Sequence, residues 1–267
     1  MKGVILAGGL GTRLRPLTHA CNKHLLPVWN KPMIYYPIVN LVKSGIKEIM
    51  IVSNEPDAFY KLIGKLQKEE PFFKHKGVSF MFGHQRGEGG IADALKVARD
   101  FVGDENCCVM LGDNIYQFDC STAVRSFKEF LQYSKCDSGA LVLTKMANKA
   151  KDLTRFGCTL GRYGNIEQLI EKPTFEQVCD WTEGGLSMAI ITGCYCYTPD
   201  VFDICDKLKP SGRGELEITD VNKHYLSLGC LEEYLTDGWW TDAGTHESLL
   251  AASNLVRKQG ANNSEPE

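Results

Sequence analysis

Along the first part of the chain, short runs of apolar and β-branched residues alternate with longer stretches whose apolar positions recur at helical spacing. The runs at residues 2–7, 48–53, 78–82, 107–111 and 140–145 predict strands, and the stretches at 32–43, 57–68, 91–102 and 122–133 predict helices between them. A strand that is apolar on both faces has to be covered on both faces. Strands of that kind, separated by amphipathic helices, predict a parallel sheet with helices on either side. Past residue 151 the rhythm changes: 156–160, 164–171 and 187–198 read as strands with short connections, which predicts an antiparallel section, and helices follow at 217–227 and 245–258. No repeat or linker divides the chain, so residues 1–258 are expected to form one domain. The remainder, 259–267 (QGANNSEPE), is polar and is expected to be a disordered tail.

Charge then narrows the function classes. The 267 residues carry a formal net charge of -3, and the pI is near 6.1. That balance gives no electrostatic case for a nucleic-acid partner. No apolar run is long enough to cross a bilayer, so no membrane partner is expected. The opening MKGVILAGG reads as a buried first strand rather than a secretory leader, which makes a cytoplasmic setting the expectation. The 11 cysteines are scattered and form no CxxC, so a zinc site is not expected. Most read as small buried apolar residues in a reducing compartment.

The segment that carries chemistry is LAGGLGTRLRPLT, residues 6–18, where the first strand runs into Gly8, Gly9, Gly11, Thr12 and Arg13. Ligands of open parallel sheets bind beyond the carboxyl ends of the strands. Glycines there let backbone N–H groups close on phosphate oxygens, and Arg13 adds a fixed fork of donors. A P-loop would need Lys-Ser/Thr after its last glycine, and the dinucleotide fingerprint would need a third glycine three residues further on, where Leu14 stands. This string has neither. A plain glycine turn would explain the glycines but not Thr12-Arg13 or the following Lys23.

Taken with Asn22-Lys23-His24-Leu25-Leu26-Pro27-Val28 and Lys31-Pro32-Met33-Ile34-Tyr35-Tyr36-Pro37, this opening resembles the glucose-1-phosphate thymidylyltransferase family. The likeness continues in order through Leu111-Gly112-Asp113-Asn114, Glu171-Lys172-Pro173, Gly214 to Asp220 and Trp240 to Thr245. It implies an α/β, Rossmann-like nucleotidyltransferase fold with a mainly parallel sheet flanked by helices and an inserted sugar-binding section. It also implies a reaction in which a sugar 1-phosphate attacks the α-phosphorus of dTTP and releases pyrophosphate. Two anions meet in such a reaction, so the site must supply positioning and positive charge rather than a general base.

Carried over residue by residue, the resemblance makes Leu6, Gly8, Gly9, Gly11, Thr12, Arg13, Lys23, Gln85, Gly90 and Asp113 the nucleotide site. Gln85 and Gly90 would meet the pyrimidine, Lys23 the triphosphate, and Arg13 the leaving pyrophosphate. Lys172 would meet the sugar phosphate and Glu171 the sugar hydroxyls, with Asn114, Gly157 and Gly193 lining the sugar pocket and Arg213 a second phosphate contact. Asp113 and Asp242 would hold Mg²⁺, which prefers a few carboxylates plus phosphate and water oxygens. Each aspartate alone could equally be a turn or helix cap. The sequence departs from the family where residues 174–191 form a longer connection bordering the sugar pocket and where Phe156 replaces a tyrosine. A UTP-dependent or other-sugar enzyme and a non-catalytic nucleotide-sugar-binding subunit stay open as alternatives, and a homo-oligomer, tetramer or dimer, is the expected assembly.

Overall fold

A computed structural model describes residues 1–264 apart from 75, 135, 148, 163 and 164, and also leaves out the Lys74 side chain. Among the described residues nine strands make the central sheet: β1 (Lys2–Leu6), β2 (Glu48–Ser53), β3 (Ser79–His84), β4 (Cys107–Leu111), β5 (Ala140–Met146), β6 (Gly157–Arg162), β7 (Asn165–Glu171), β8 (Ser187–Tyr197) and β9 (Leu231–Leu235). The order from one edge is β7-β6-β8-β4-β1-β2-β3, with β5 on the far side of β8 and β9 beyond it. Strands β3, β2, β1 and β4 run parallel, and β8, β6 and β7 continue antiparallel. The expected change of rhythm is therefore a change of strand direction.

Alternate residues of the same strand feed two cores. Val4, Leu6, Cys107, Val109, Tyr195 and Tyr197 face α3 (Ile91–Lys96), α4 (Arg99–Val102), α7 (Val201–Lys207) and α8 (Ile218–Ser227). On the other face Ile5, Ile49, Ile51, Cys108, Met110 and Cys194 pack on α1 (Tyr35–Lys43), α2 (Pro56–Glu69) and α5 (Ser121–Tyr133). Burying each large apolar side chain contributes ~1.5–3 kcal/mol, so sandwiching both faces fixes the register of every central strand.

One break in this sheet makes room for a ligand. Residues 194–197 of β8 pair with β4, whereas 187–190 pair with β6 along the same edge. Between them the register slips at Thr192-Gly193. The end of β4 and the start of β6 therefore face each other across a notch.

Three expectations change. Residues 174–191 are not an open connection: Thr174 and Gln177 form a capping box at the start of α6 (Phe175–Glu183), and Leu186 leads into β8. Val178 and Trp181 of α6 pack with Leu153, Leu160 and Met188, so α6 covers the sheet, and only the end of the segment, at Ile191, lines the sugar cavity. The tail is docked up to residue 264: Gly260 ends α9 (His246–Gln259), and Asn262 donates to Tyr36 O (2.8 Å) and accepts from Asn40 Nδ2 (2.9 Å). Its polar groups are satisfied by α1 and by the backbone oxygens of Tyr116 and Gln117, while residues 265–267 lie outside the described residues. The cysteines are mostly buried free thiols, but Cys136 and Cys230 form a disulfide from the end of α5 to the start of β9. The Sγ atoms of Cys108, Cys120 and Cys194 also lie within 4.8 Å of one another, a convergence that spacing along the chain does not reveal.

Candidate active site

The loop leaving β1 supplies unspent donors. The N–H groups of residues 8–13 reach no protein acceptor among the described residues, whereas the flanking Ala7 N–H donates to Val52 O (2.7 Å) and Leu14 N–H to Gly11 O (2.9 Å). Gly8 lies against the Gln85 side-chain oxygen so closely that a Cβ there would overlap it. Gln85 is itself buried and fixed by its N–H to Ser53 O (2.9 Å). A cavity of about 260 Å³ opens beside them, lined by Leu6, Gly8, Gly9, Lys23, Gln85, Gly90 and Asp113 among others.

Lys23 runs beneath this loop: a Cβ at Gly9 would sit 3.8 Å from its ammonium nitrogen. The ammonium reaches Asp113 Oδ2 at 2.5 Å, with both side chains only 13% exposed. Burial alone would raise the Asp113 pKa, but Lys23, with His24 beside it, outweighs burial and holds the carboxyl at about 2. Asn114 Nδ2 donates to the other oxygen (3.0 Å) and is itself held by Trp240 Nε1, which donates to Asn114 Oδ1 (2.8 Å).

A two-stranded ribbon brings the second carboxylate in. Residues Asn114–Tyr116 pair antiparallel with Trp240–Asp242, Asp242 opposite Asn114, and Ala243 N–H donates to Asp113 O (2.8 Å). Asp242 is buried, and burial followed by the Asp113 charge pushes its pKa up, against the pull of Arg155, Arg13 and Lys23. Two mutually repelling carboxylates beside a polyphosphate-sized opening are a donor set that fits a hard divalent cation. Arg155 pairs with one of them: its Nη2 donates to Asp242 Oδ1 at 3.1 Å and Oδ2 at 3.4 Å.

The notch in the sheet is a second cavity, of about 500 Å³, which shares Ile91, Leu111 and Asp113 with the first. Gly193 forms its floor with φ of 78°, and a Cβ would lie 2.8 Å from Leu111 and 2.9 Å from Asn114 Nδ2, so any larger residue strains the break in β8. Glu171 is aimed inward by Thr219 Oγ1, which donates to Oε2 at 2.6 Å. Lys172 lines the same wall in the left-handed region, φ 46°, a conformation that costs a lysine about 1 kcal/mol and is held by its N–H to Phe156 O (3.0 Å).

Of the expected residues, the two cavities gather Leu6, Gly8, Gly9, Arg13, Lys23, Gln85, Gly90, Asp113, Asn114, Gly157, Glu171, Lys172, Gly193 and Asp242. Gly11 and Thr12 line neither; they begin the short turn Thr12–Leu14 that aims Arg13. Arg213 lines neither as well. It spends its fork on Glu217 (2.7 and 3.1 Å), with Glu171 at 3.3 Å and Glu215 at 3.5 Å, and so braces the walls of both cavities. Sequence reasoning missed Arg155, Trp240 as the support of Asn114, and Thr219 as the support of Glu171. Trp240 and Thr219 stand inside the quoted strings, where their roles could have been sought.

The Nucleotidyl transferase family model matches residues 2–259. The chain is 37% identical over 262 residues to a glucose-1-phosphate thymidylyltransferase of Neisseria meningitidis, covering 96% of this chain and 83% of that one. It is 37% identical over 277 residues to the enzyme of that name from Mycobacterium tuberculosis, covering 100% and 87%. A crystal structure from Bacillus anthracis, described as a glucose-1-phosphate thymidylyltransferase in complex with sucrose, superposes with a TM-score of 0.80 at 40% identity over 96% and 95% of the two chains. A UDP-glucose pyrophosphorylase with UDP-glucose gives 0.81 at 22% identity over 96% and 98%, a likeness of fold alone. With a family match across nearly the whole chain and relatives alike from end to end, this chain belongs to the nucleotidyl transferase family and stands among its glucose-1-phosphate thymidylyltransferases.

Proposed function

We propose that this chain transfers the thymidylyl group of dTTP to α-D-glucose 1-phosphate, giving dTDP-glucose and pyrophosphate. One observation carries the reading: two contiguous cavities, one under the free N–H groups of the β1 loop and one in the notch of β8, meet at Asp113. Nucleotide in the first and sugar phosphate in the second would bring the attacking oxygen and the α-phosphorus together at that junction. The loop N–H groups and Lys23 hold the triphosphate, Arg13 stabilises charge on the departing pyrophosphate, and Lys172 orients the attacking phosphate. Glu171, held by Thr219, accepts from sugar hydroxyls. The attacking group is already an anion, so no proton need leave it. Asp113 and Asp242 would hold Mg²⁺, which when bound neutralises phosphate charge and raises the electrophilicity of the phosphorus.

Gln85 offers one donor and one acceptor to a pyrimidine edge, which thymine and uracil both satisfy. The methyl that separates them is worth ~1 kcal/mol in such a pocket, so UTP is expected to be the slower but competent substrate. The test is pyrophosphate release over a grid of nucleoside triphosphates and sugar 1-phosphates with Mg²⁺ present. Highest kcat/KM with dTTP and glucose 1-phosphate supports the reading. A different best pair would move the specificity, and no turnover with any pair would leave a nucleotide-sugar-binding protein.

A further inference from the structure

We propose that Arg155 is an internal placeholder for the metal's charge: it pairs with Asp242 in the metal-free protein and is expelled when a divalent cation binds there. This inference rests on the metal-binding reading above.

Arg155 Nη2 reaches both Asp242 oxygens, at 3.1 and 3.4 Å, so a cation binding this carboxylate meets the guanidinium at close range. The opposite carboxylate is also taken, by Lys23 on one oxygen (2.5 Å) and Asn114 on the other (3.0 Å). A dication entering between Asp113 and Asp242 would thus meet two monocations at close range, and one of them has to give way.

Burial decides which. The Lys23 side chain is 13% exposed, lies beneath the backbone of Gly9 and Gly11, and opens only onto the nucleotide cavity that the triphosphate would fill. The Arg155 side chain is 43% exposed and, among the described residues, is held besides by stacking on the Phe156 ring, 5.0 Å from its centroid. It also forms part of the wall between the 500 Å³ sugar cavity and an adjoining cavity of about 580 Å³, the two sharing Arg155, Phe156, Trp240 and Asp242. It has room to swing either way. In the metal-free state the pair offsets the repulsion between the two aspartates. On metal arrival Asp242 changes partner, so loading the cation and clearing the Asp242 side of the sugar cavity become one event.

The experiment uses Mn²⁺ as the probe and the full chain, with no substrate. Electron paramagnetic resonance titration gives the Mn²⁺ Kd of the wild type and of Arg155→Gln, with Arg257→Gln as a remote control. Removing a half-exposed competitor is expected to tighten Mn²⁺ binding about fivefold in Arg155→Gln and to leave Arg257→Gln unchanged. In the unmutated protein, phenylglyoxal labelling of Arg155, read by peptide mass spectrometry, is expected to speed up as Mn²⁺ saturates, while Arg257 labels at a constant rate. Normal Mn²⁺ binding with an unshifted Kd in Arg155→Gln and unchanged or slower labelling of Arg155 would overturn the placeholder alone. Absence of Mn²⁺ binding in the wild type would overturn the metal reading with it.

Discussion

His24→Gln tests how tightly the base of the nucleotide cavity is built. The His24 ring is 2% exposed, lies under Gly112, and places Nδ1 2.8 Å from Asn22 Oδ1. Asn22 spends its amide nitrogen on Ala7 O (3.2 Å) and Asn54 Oδ1 (3.1 Å), so its oxygen faces His24 and Nδ1 carries the proton of a neutral ring. Burial first, and the Lys23 charge second, lower the His24 pKa from 6.5 to about 3. The unfolded chain therefore binds a proton below 6.5 that the folded protein refuses. The stability contributed is complete above the unfolded value and drains as pH falls toward the folded one. Between about pH 7 and about pH 4.5 the loss from this group is on the order of 2–3 kcal/mol, at ~1.4 kcal/mol per pH unit over the two units below 6.5. Asp113 stays ionised in both states over most of that window and contributes little. Urea unfolding of wild type and His24→Gln at the two pH values isolates the term. The wild type should lose ~2–3 kcal/mol more than the variant. Equal losses would refute a buried neutral His24.

Other perturbations separate the cavity's parts. Gly193→Ala should cost ~1–3 kcal/mol in thermal unfolding and lower kcat/KM at least about tenfold, and unchanged kinetics would remove the β8 break from the site. Trp240→Phe deletes the donor to Asn114 Oδ1 and should lower kcat about tenfold with little change in Tm. A rise in KM alone would make Trp240 only a binding wall. Thr174→Ala breaks the capping box of α6 and should cost ~1 kcal/mol while leaving the KM for sugar phosphate untouched. A raised KM would put α6 back at the pocket.

The parallel half of the sheet was legible because β1, β2 and β4 are apolar on both faces, and Asp113, Lys23 and Asp242 were legible because each lies in a string with recognisable order. Arg155 was not. It precedes Phe156-Gly157 in what reads as an ordinary polar turn, and it gains meaning only when the ribbon of Asn114–Tyr116 and Trp240–Asp242 delivers Asp242 to it. Arg213 shows the reverse case: a cation in a recognised string that the fold assigns to Glu217 and not to a cavity. The start of α6 was available in principle, since Thr174-x-x-Gln177 before Val178 is a capping signature, but comparison with shorter relatives drew attention to length instead. The docking of Asn262 rests on buried partners in α1 that no local pattern announces.

The account stands on Asp113 and Asp242 acting as one cation site at the junction of the two cavities. Anomalous diffraction from crystals grown with Mn²⁺ and dTTP tests this directly. The expected result is a metal peak at coordinating distance, about 2.0–2.3 Å, from carboxylate oxygens of both residues, with Arg155 no longer against Asp242. A peak bound to neither aspartate, with the Lys23–Asp113 and Arg155–Asp242 pairs intact, would contradict it.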